Sequence, residues 1–317
     1  MALTEFSVID EFFKLDAAYG HSPVIGIGDD CAILDVPAGY QLAVSTDTLV
    51  EGVHFLPGSD PVHLGHKVLA VNLSDLAAMG AAPAWVSLAI TLPHIDESWL
   101  AAFTEGFFAL ASRYSLRLIG GDTTCGPLSI TINIMGLLPA GQRLTRSGAR
   151  VGDDVYVSGT FGNAGLGLLK ARSGATDLTD VDVAAYLRPQ PCVELGQALL
   201  SVATSCIDVS DGLSADMNHI LSASTVGASI EHSVVPLTKS VIEHVRQLND
   251  VFWPYATGDD YQLCFTVPAG VDVSSLEKEG RTKITKIGVI EEDLGLRLVQ
   301  QSGESRELNK GYEHFDE

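Results

Sequence analysis

QLAVSTDTLV (41–50) and HLGHKVLAVNLSDLAAMG (63–80) follow one another in the chain, and together they set the fold class. The first alternates apolar and polar residues as a strand does and ends in a polar loop. The second carries apolar residues at helical spacing and closes on Gly80, a left-handed stop. Upstream, VIGIGDDCAIL (24–34) reads as another strand. Downstream come a strand at AWVSLAITL (84–92), a helix at ESWLAAFTEGFFALASRY (97–114), and strands at LRLIGG (116–121) and SITINIMGLLP (129–139). Adjacent strands mixed with strand–helix units predict an α+β sandwich, not a strict Rossmann alternation.

The polar, glycine-containing RSGARVGDD (146–154) marks a boundary, giving domains 1–145 and 146–317. The second half restarts with a strand at VYVSG (155–159) and a helix at NAGLGLLKAR (163–172), and SGATDLTDVD (173–182) reads as a surface loop. IDVSDGLSADMNHIL (207–221) reads as strand, acidic turn and helix. DDYQLCFTV (259–267) and TKIGVI (285–290) are strands, and KGYEHF (310–315) ends on aromatics.

The chain has 317 residues, with 40 acids against 19 bases and a net charge of −21. Such a surface repels phosphate backbones and anionic lipids, so nucleic acid and membrane surfaces are not expected partners. Five scattered cysteines without a C-x-x-C pair fit reduced thiols better than a disulfide framework or a zinc site. The N-terminus has no basic region of a secretion signal. The longest run free of charged residues, Leu76 to Ile95, is broken by Gly80, Pro83 and Pro93. The expected location is the cytoplasm.

Common catalytic templates are absent. There is no G-x-x-x-x-G-K-[ST], and Gly26-Ile27-Gly28 lacks the third glycine of the dinucleotide fingerprint. The protein-kinase H-R-D and D-F-G motifs and the G-x-S-x-G elbow are missing, and His63-x-x-His66 lacks the metalloprotease spacing.

What remains is a series of carboxylates beside hydroxyls and glycines. They are Asp29-Asp30, Ser45-Thr46-Asp47, Asp75, Asp122 after Gly120-Gly121, Asp208-Val209-Ser210-Asp211, and Asp259-Asp260. Any one of them reads as a turn or a cap. Gly-Asp-Asp occurs three times, and the middle copy, in VGDDVYV, reads as a plain turn into a strand. As an ensemble, oxygen-only donors suit Mg²⁺, which takes one or two carboxylates and completes its shell with water and substrate phosphates. Asn72 and Asp75, three apart on a helix, share a face and can point at one ion.

GIGDDCA, STDTLVEGVHF, VNLSDLAAMGA, LIGGDTT, LTRSGA, IDVSDGL and KGYEHF, in this order and over nearly the whole chain, resemble the bacterial thiamine-monophosphate kinases. These belong to the aminoimidazole-ribonucleotide-synthetase-like (PurM-like) superfamily. The resemblance implies a two-domain fold whose N-terminal strands form a barrel spanning a homodimer. It implies ATP- and Mg²⁺-dependent phosphorylation of thiamine monophosphate to thiamine diphosphate. Position by position, Asp30, Ser45, Thr46, Asp47, Asp75, Asp122, Asp208 and Asp211 match magnesium positions. Tyr114, Gly121, Asp122, Arg146 and Ser210 match ATP contacts, and His54, Asp259 and Tyr312 match substrate contacts. Two residues depart from the pattern. Asp259 stands where the family has glutamate, and Cys125 stands where relatives often carry arginine.

An acceptor that is itself a phosphate monoester has a second pKa of about 6 and is already nucleophilic at neutral pH, so no general base and no phosphoenzyme are expected. Several Mg²⁺ ions would offset the repulsion between donor and acceptor, with Arg146 as the direct phosphate donor. The competing readings are other superfamily members, a metal-dependent phosphohydrolase and a non-catalytic metal–nucleotide module. Residues 1–23 contain no cysteine, which argues against selenophosphate synthesis.

Overall fold

Two mixed sheets organise the chain in the computed structural model, which describes residues 4–14, 19–277, 282–300, 302–308 and 311. They lie in two units, Met1–Leu76 with Ala81–Gly141, and Ala77–Gly80 with Gln142–Glu317.

The first unit contains α1 (Glu5–Val8), β1 (Tyr40–Val50), α2 (Pro61–Met79), β2 (Ala82–Leu92), α3 (Glu97–Arg113), β3 (Arg117–Cys125) and β4 (Ser129–Pro139). Its sheet has the order β1-β4-β2-β3. β1 and β2 each run antiparallel to β4, whereas β2 and β3 are parallel. Parallel pairing needs a crossover, and α3 supplies it. Asp96 starts that helix by accepting the N–H groups of Ser98 and Trp99. The apolar stripes of α2 and α3, including Leu69, Leu73, Phe103 and Phe107, are buried. The two helices meet backbone to backbone. A Cβ on Gly65 would stand 2.1 Å from the Phe103 carbonyl oxygen, and one on Gly106 would stand 1.9 Å from that of Val62.

The second unit contains β5 (Asp154–Ser158), α4 (Asn163–Arg172), α5 (Val181–Leu187), α6 (Val193–Leu199), β6 (Ser205–Val209), α7 (Leu213–Ser224) and β7 (Gly227–Glu231). After these come α8 (Lys239–Leu248), α9 (Trp253–Ala256), β8 (Gln262–Val267), β9 (Ile284–Glu291), β10 (Gly295–Val299) and β11 (Ser305–Glu307). The sheet order is β11-β10-β7-β9-β5-β8-β6. Val157, Ile207, Val209, Met217, Ile220 and Phe161 belong to one buried cluster that joins α7 to the sheet.

The α+β architecture agrees with the sequence reading. The segment 24–34 does not. It holds only isolated bridges, Ile25 to Ile33 and Ile27 to Asp29, with Gly28 at φ +121°. Two glycines and an acid pair outweigh the apolar residues there, because the backbone turns back on itself instead of extending. The middle Gly-Asp-Asp is the turn its sequence indicates, with β5 beginning at Asp154. The loop read over 173–182 ends earlier, since Asp180 caps α5 through the N–H groups of Asp182 and Val183.

Candidate metal and phosphate site

In the first unit, Ser45 and Asp47 lie two apart on β1, and strand periodicity puts both on the face toward α2. Ser45 Oγ donates to Asp75 Oδ2 at 2.5 Å. Asp47 is hydrogen-bonded to Asp75 as well. Burial first, then the Asp75 charge, then that bond push the Asp47 carboxyl up to about 7. Two acids in contact away from bulk water need a proton or a cation between them. Among the described residues no three His, Cys, Asp or Glu side chains converge into a ready-made metal cage. Two carboxylates with a hydroxyl nevertheless fit Mg²⁺, which leaves its other positions to water and phosphate.

The neighbouring candidates are placed differently. Thr46 faces away from Asp75, exposed, and its hydroxyl accepts Asn133 Nδ2 at 2.6 Å. Asn72 does not share the outlook of Asp75. It is fully buried, with Nδ2 donating to the Val68 carbonyl at 2.9 Å. Asp30 lies exposed in the irregular 24–34 segment, where its N–H donates to Asp29 Oδ1. His54 closes the turn after β1, with Nδ1 accepting the Val50 N–H at 3.0 Å. That bond places the imidazole proton on Nε2 in the neutral ring.

Asp122 lies exposed on β3, which is the opposite edge of the sheet from β1. Three inter-strand steps of ~4.8 Å separate the two strands, so Asp122 and Asp47 of one chain do not converge. Gly121 precedes it and pairs with Leu88 of β2, where a Cβ would fall 1.7 Å from the Leu88 carbonyl oxygen. Tyr114 caps α3 as a buried residue, with the Arg113 guanidinium 5.2 Å from its ring centroid.

In the second unit, Asp208 is buried within β6, and Ser210 and Asp211 follow on the turn into α7. The N–H groups of Ser210 and Asp211 both donate to Asp216 Oδ2, at 3.0 and 2.9 Å. Burial lifts Asp216 to about 7, against the lowering effect of these bonds and of the Arg146 charge. The sequence reading missed Asp216. Its one signal is an acid in the first turn of a helix that opens on an acidic loop.

A second acidic loop is stitched to the first. The Asp259 N–H donates to the Ser210 carbonyl and the Tyr261 N–H to that of Val209, both at 2.8 Å. Between them, Asp260 accepts the Gly162 N–H at 2.9 Å and the Ala164 N–H at 3.3 Å, at the N-terminus of α4. Burial pushes Asp260 up to about 8, with the Asp259 charge adding to it and the two N–H groups opposing it. Asp259 and Tyr261 both have positive φ, +68° and +48°. Left-handed backbone at two non-glycine residues persists only where surrounding contacts hold it. Tyr312 lies outside the described residues.

Residues 28–138 match the model of the AIR synthase related protein N-terminal domain, and residues 150–300 that of its C-terminal domain. The thiamine-monophosphate kinase of Escherichia coli K12 is 47% identical over 99% of both chains. The chain belongs to the thiamine-monophosphate kinase family. Among solved structures, the enzyme from Stenotrophomonas maltophilia K279a superposes with a TM-score of 0.83 at 40% identity, covering 96% of this chain and 99% of that one. A structure of AaThiL in complex with AMPPCP and TMP gives 0.77 at 30% identity over 99% of each.

Proposed function

We propose that this chain transfers the γ-phosphoryl group of ATP directly and in line to the phosphate of thiamine monophosphate, giving thiamine diphosphate and ADP in thiamine diphosphate biosynthesis. Family membership supplies the substrates. The observation that carries the chemistry is the contact of Asp47 with Asp75, two acids that call for a divalent cation.

Mg²⁺ ions bound there and at Asp208 and Asp211 supply charge neutralisation when present. The chain's own groups do the rest. Asp216 fixes the Ser210 and Asp211 amides, and Arg146 offers a planar fork to ATP phosphate oxygens. Gly121 lets β3 lie tightly on β2 at Leu88, which sets the position of Asp122 beside it. His54 and Asp259 meet the acceptor, the Asp259 carboxylate being oriented by the Tyr261 hydroxyl, which donates to its Oδ1 at 3.1 Å. No side chain accepts the phosphoryl group.

The remaining magnesium candidates, Asp30, Thr46 and Asp122, fit a homodimer. Leu42 and Val44, 39% and 56% exposed on the edge strand β1, support pairing with a second copy.

Phosphorus NMR of the protein with ATP, Mg²⁺ and thiamine monophosphate tests the reading. Thiamine diphosphate and ADP should appear with the monophosphate and not with free thiamine. Intact ATP, or ADP with inorganic phosphate alone, would overturn it.

A further inference from the structure

Arg146 is carried by a strap of chain, residues 145–149, ahead of β5, and its side chain is exposed. Where its guanidinium lies is therefore set by how the backbone of the strap is held. The Thr145 carbonyl accepts the Cys206 N–H of β6 at 2.9 Å. Thr145 Oγ1 donates to the Ser147 carbonyl at 2.6 Å, closing the turn around Arg146. Gly148, at φ +124°, lies against Thr204, where a Cβ would fall 2.3 Å from the carbonyl oxygen. The remaining anchor is Ser224, the last residue of α7. Its Oγ accepts the N–H groups of Gly148 and Ala149 at 3.1 and 3.2 Å and donates to the Arg146 carbonyl at 3.4 Å. One hydroxyl uses its donor and both its lone pairs on this strap.

The opposite end of the same helix holds the acidic loop. Asp216, in the first turn of α7, accepts the Ser210 and Asp211 N–H groups. Asp216 and Ser224 stand eight residues apart, about 12 Å of helix at ~1.5 Å per residue. That span cannot slide. Met217, Ile220 and Leu221 are buried in the core cluster that also takes Val209 from β6 and Ala149 from the strap. Arg146 reaches back along the helix, since its charge acts on Asp216.

We infer that α7 is the spacer that sets the distance between the Arg146 guanidinium and the Ser210–Asp211 loop, and that Ser224 is the positioning residue that registers Arg146 on it. This rests on the reading of Arg146 as the fork for ATP phosphate oxygens. The nucleotide has to meet both ends at once, the metal held at Asp208 and Asp211 and the fork at Arg146. Where a bound geometry is used in this way, a misplacement of about 1 Å costs up to ~100-fold in rate. Ser224 acts only through the strap. Gly148 is exposed, so water can replace the hydroxyl there, and loss of Ser224 Oγ frees the strap without unfolding the unit.

A double-mutant cycle tests it. Ser224→Ala should raise the KM for ATP about tenfold and leave that for thiamine monophosphate within about twofold, with the melting temperature nearly unchanged. Ser224→Thr, which keeps the hydroxyl, should recover most of the loss. In an Arg146→Ala background, Ser224→Ala should add no more than about twofold, because its effect passes through Arg146. In the wild-type protein, Mg-ATP should slow amide exchange over 145–149 and 208–211 together. A folded Ser224→Ala with a wild-type KM for ATP, equal rises for both substrates, additivity with Arg146→Ala, or protection of one segment without the other would overturn the inference. If Arg146→Ala alone leaves the KM for ATP unchanged, the reading of Arg146 as the phosphate fork fails, and this inference falls with it.

Discussion

The carboxyl group of Asp47 on β1 is hydrogen-bonded to that of Asp75 on α2, and Ser45 holds Asp75 from the same strand. In the reading proposed above this pair holds Mg²⁺; without metal it relies on a shared proton, which burial and the Asp75 charge retain up to about pH 7, and repels above that. Asp47→Asn and Asp75→Asn should each lower kcat by about a hundredfold or more, as loss of an interaction used in the transition state does. In chelator, the melting temperature of either variant should equal or exceed that of the wild type, because the repulsion is gone. Thermal melts beside kinetics check both halves, and wild-type turnover in either variant would remove that residue from the metal shell.

Gly121 faces the Leu88 carbonyl across the parallel β2–β3 pair. Gly121→Ala must push backbone from backbone, an overpacking cost of ~1–3 kcal/mol. The expected result is a lower melting temperature together with a raised KM for ATP, since Asp122 moves with its neighbour. An alanine variant with wild-type stability and KM would contradict the close approach.

Asp216 is the acceptor for two amides of the acidic loop. Asp216→Ala leaves both without a partner, at ~1–3 kcal/mol each if no water enters. The KM for Mg-ATP should rise more than that for thiamine monophosphate, and Asp216→Asn, which keeps an acceptor oxygen, should recover most of the loss. Equal effects of the two substitutions would show that charge, not loop geometry, is what Asp216 contributes.

Asp260 supplies a pH dependence of stability. Burial raises its folded pKa to about 8, from the 3.8 of a free aspartate, so between these values the folded state holds a proton that the unfolded state has lost. Stability from this group is complete below the lower value and declines as pH rises through the window, by at most ~1.4 kcal/mol per pH unit. Asp260→Asn should flatten the fall in melting temperature between pH 5 and pH 8. An unchanged slope would show that Asp260 stays ionised on the α4 amides.

The sequence made β1 and α2 legible because their patterns have clean periods of two and 3.6, and these two elements carry Ser45, Asp47 and Asp75. It could not show that Asp47 touches Asp75, which depends on how a helix is set on a strand. Local composition misled at 24–34, where glycines override an apolar run. Asn72 and Thr46 show the limit of spacing arguments. Asn72 has the right helical offset but sits inside the core, and Thr46 adjoins two inward residues and therefore points out. Asp260 was legible only as one of several acids in turns. Its capping role joins it to Gly162, far away in the chain, and no local pattern signals such a pairing.

The most direct test of the central claim, direct transfer between two phosphates with no protein nucleophile, is the stereochemical course with ATP made chiral at its γ-phosphorus. One in-line displacement predicts thiamine diphosphate with inverted configuration at the transferred phosphorus. Retention would require two displacements and a phosphorylated protein side chain, and would contradict the account.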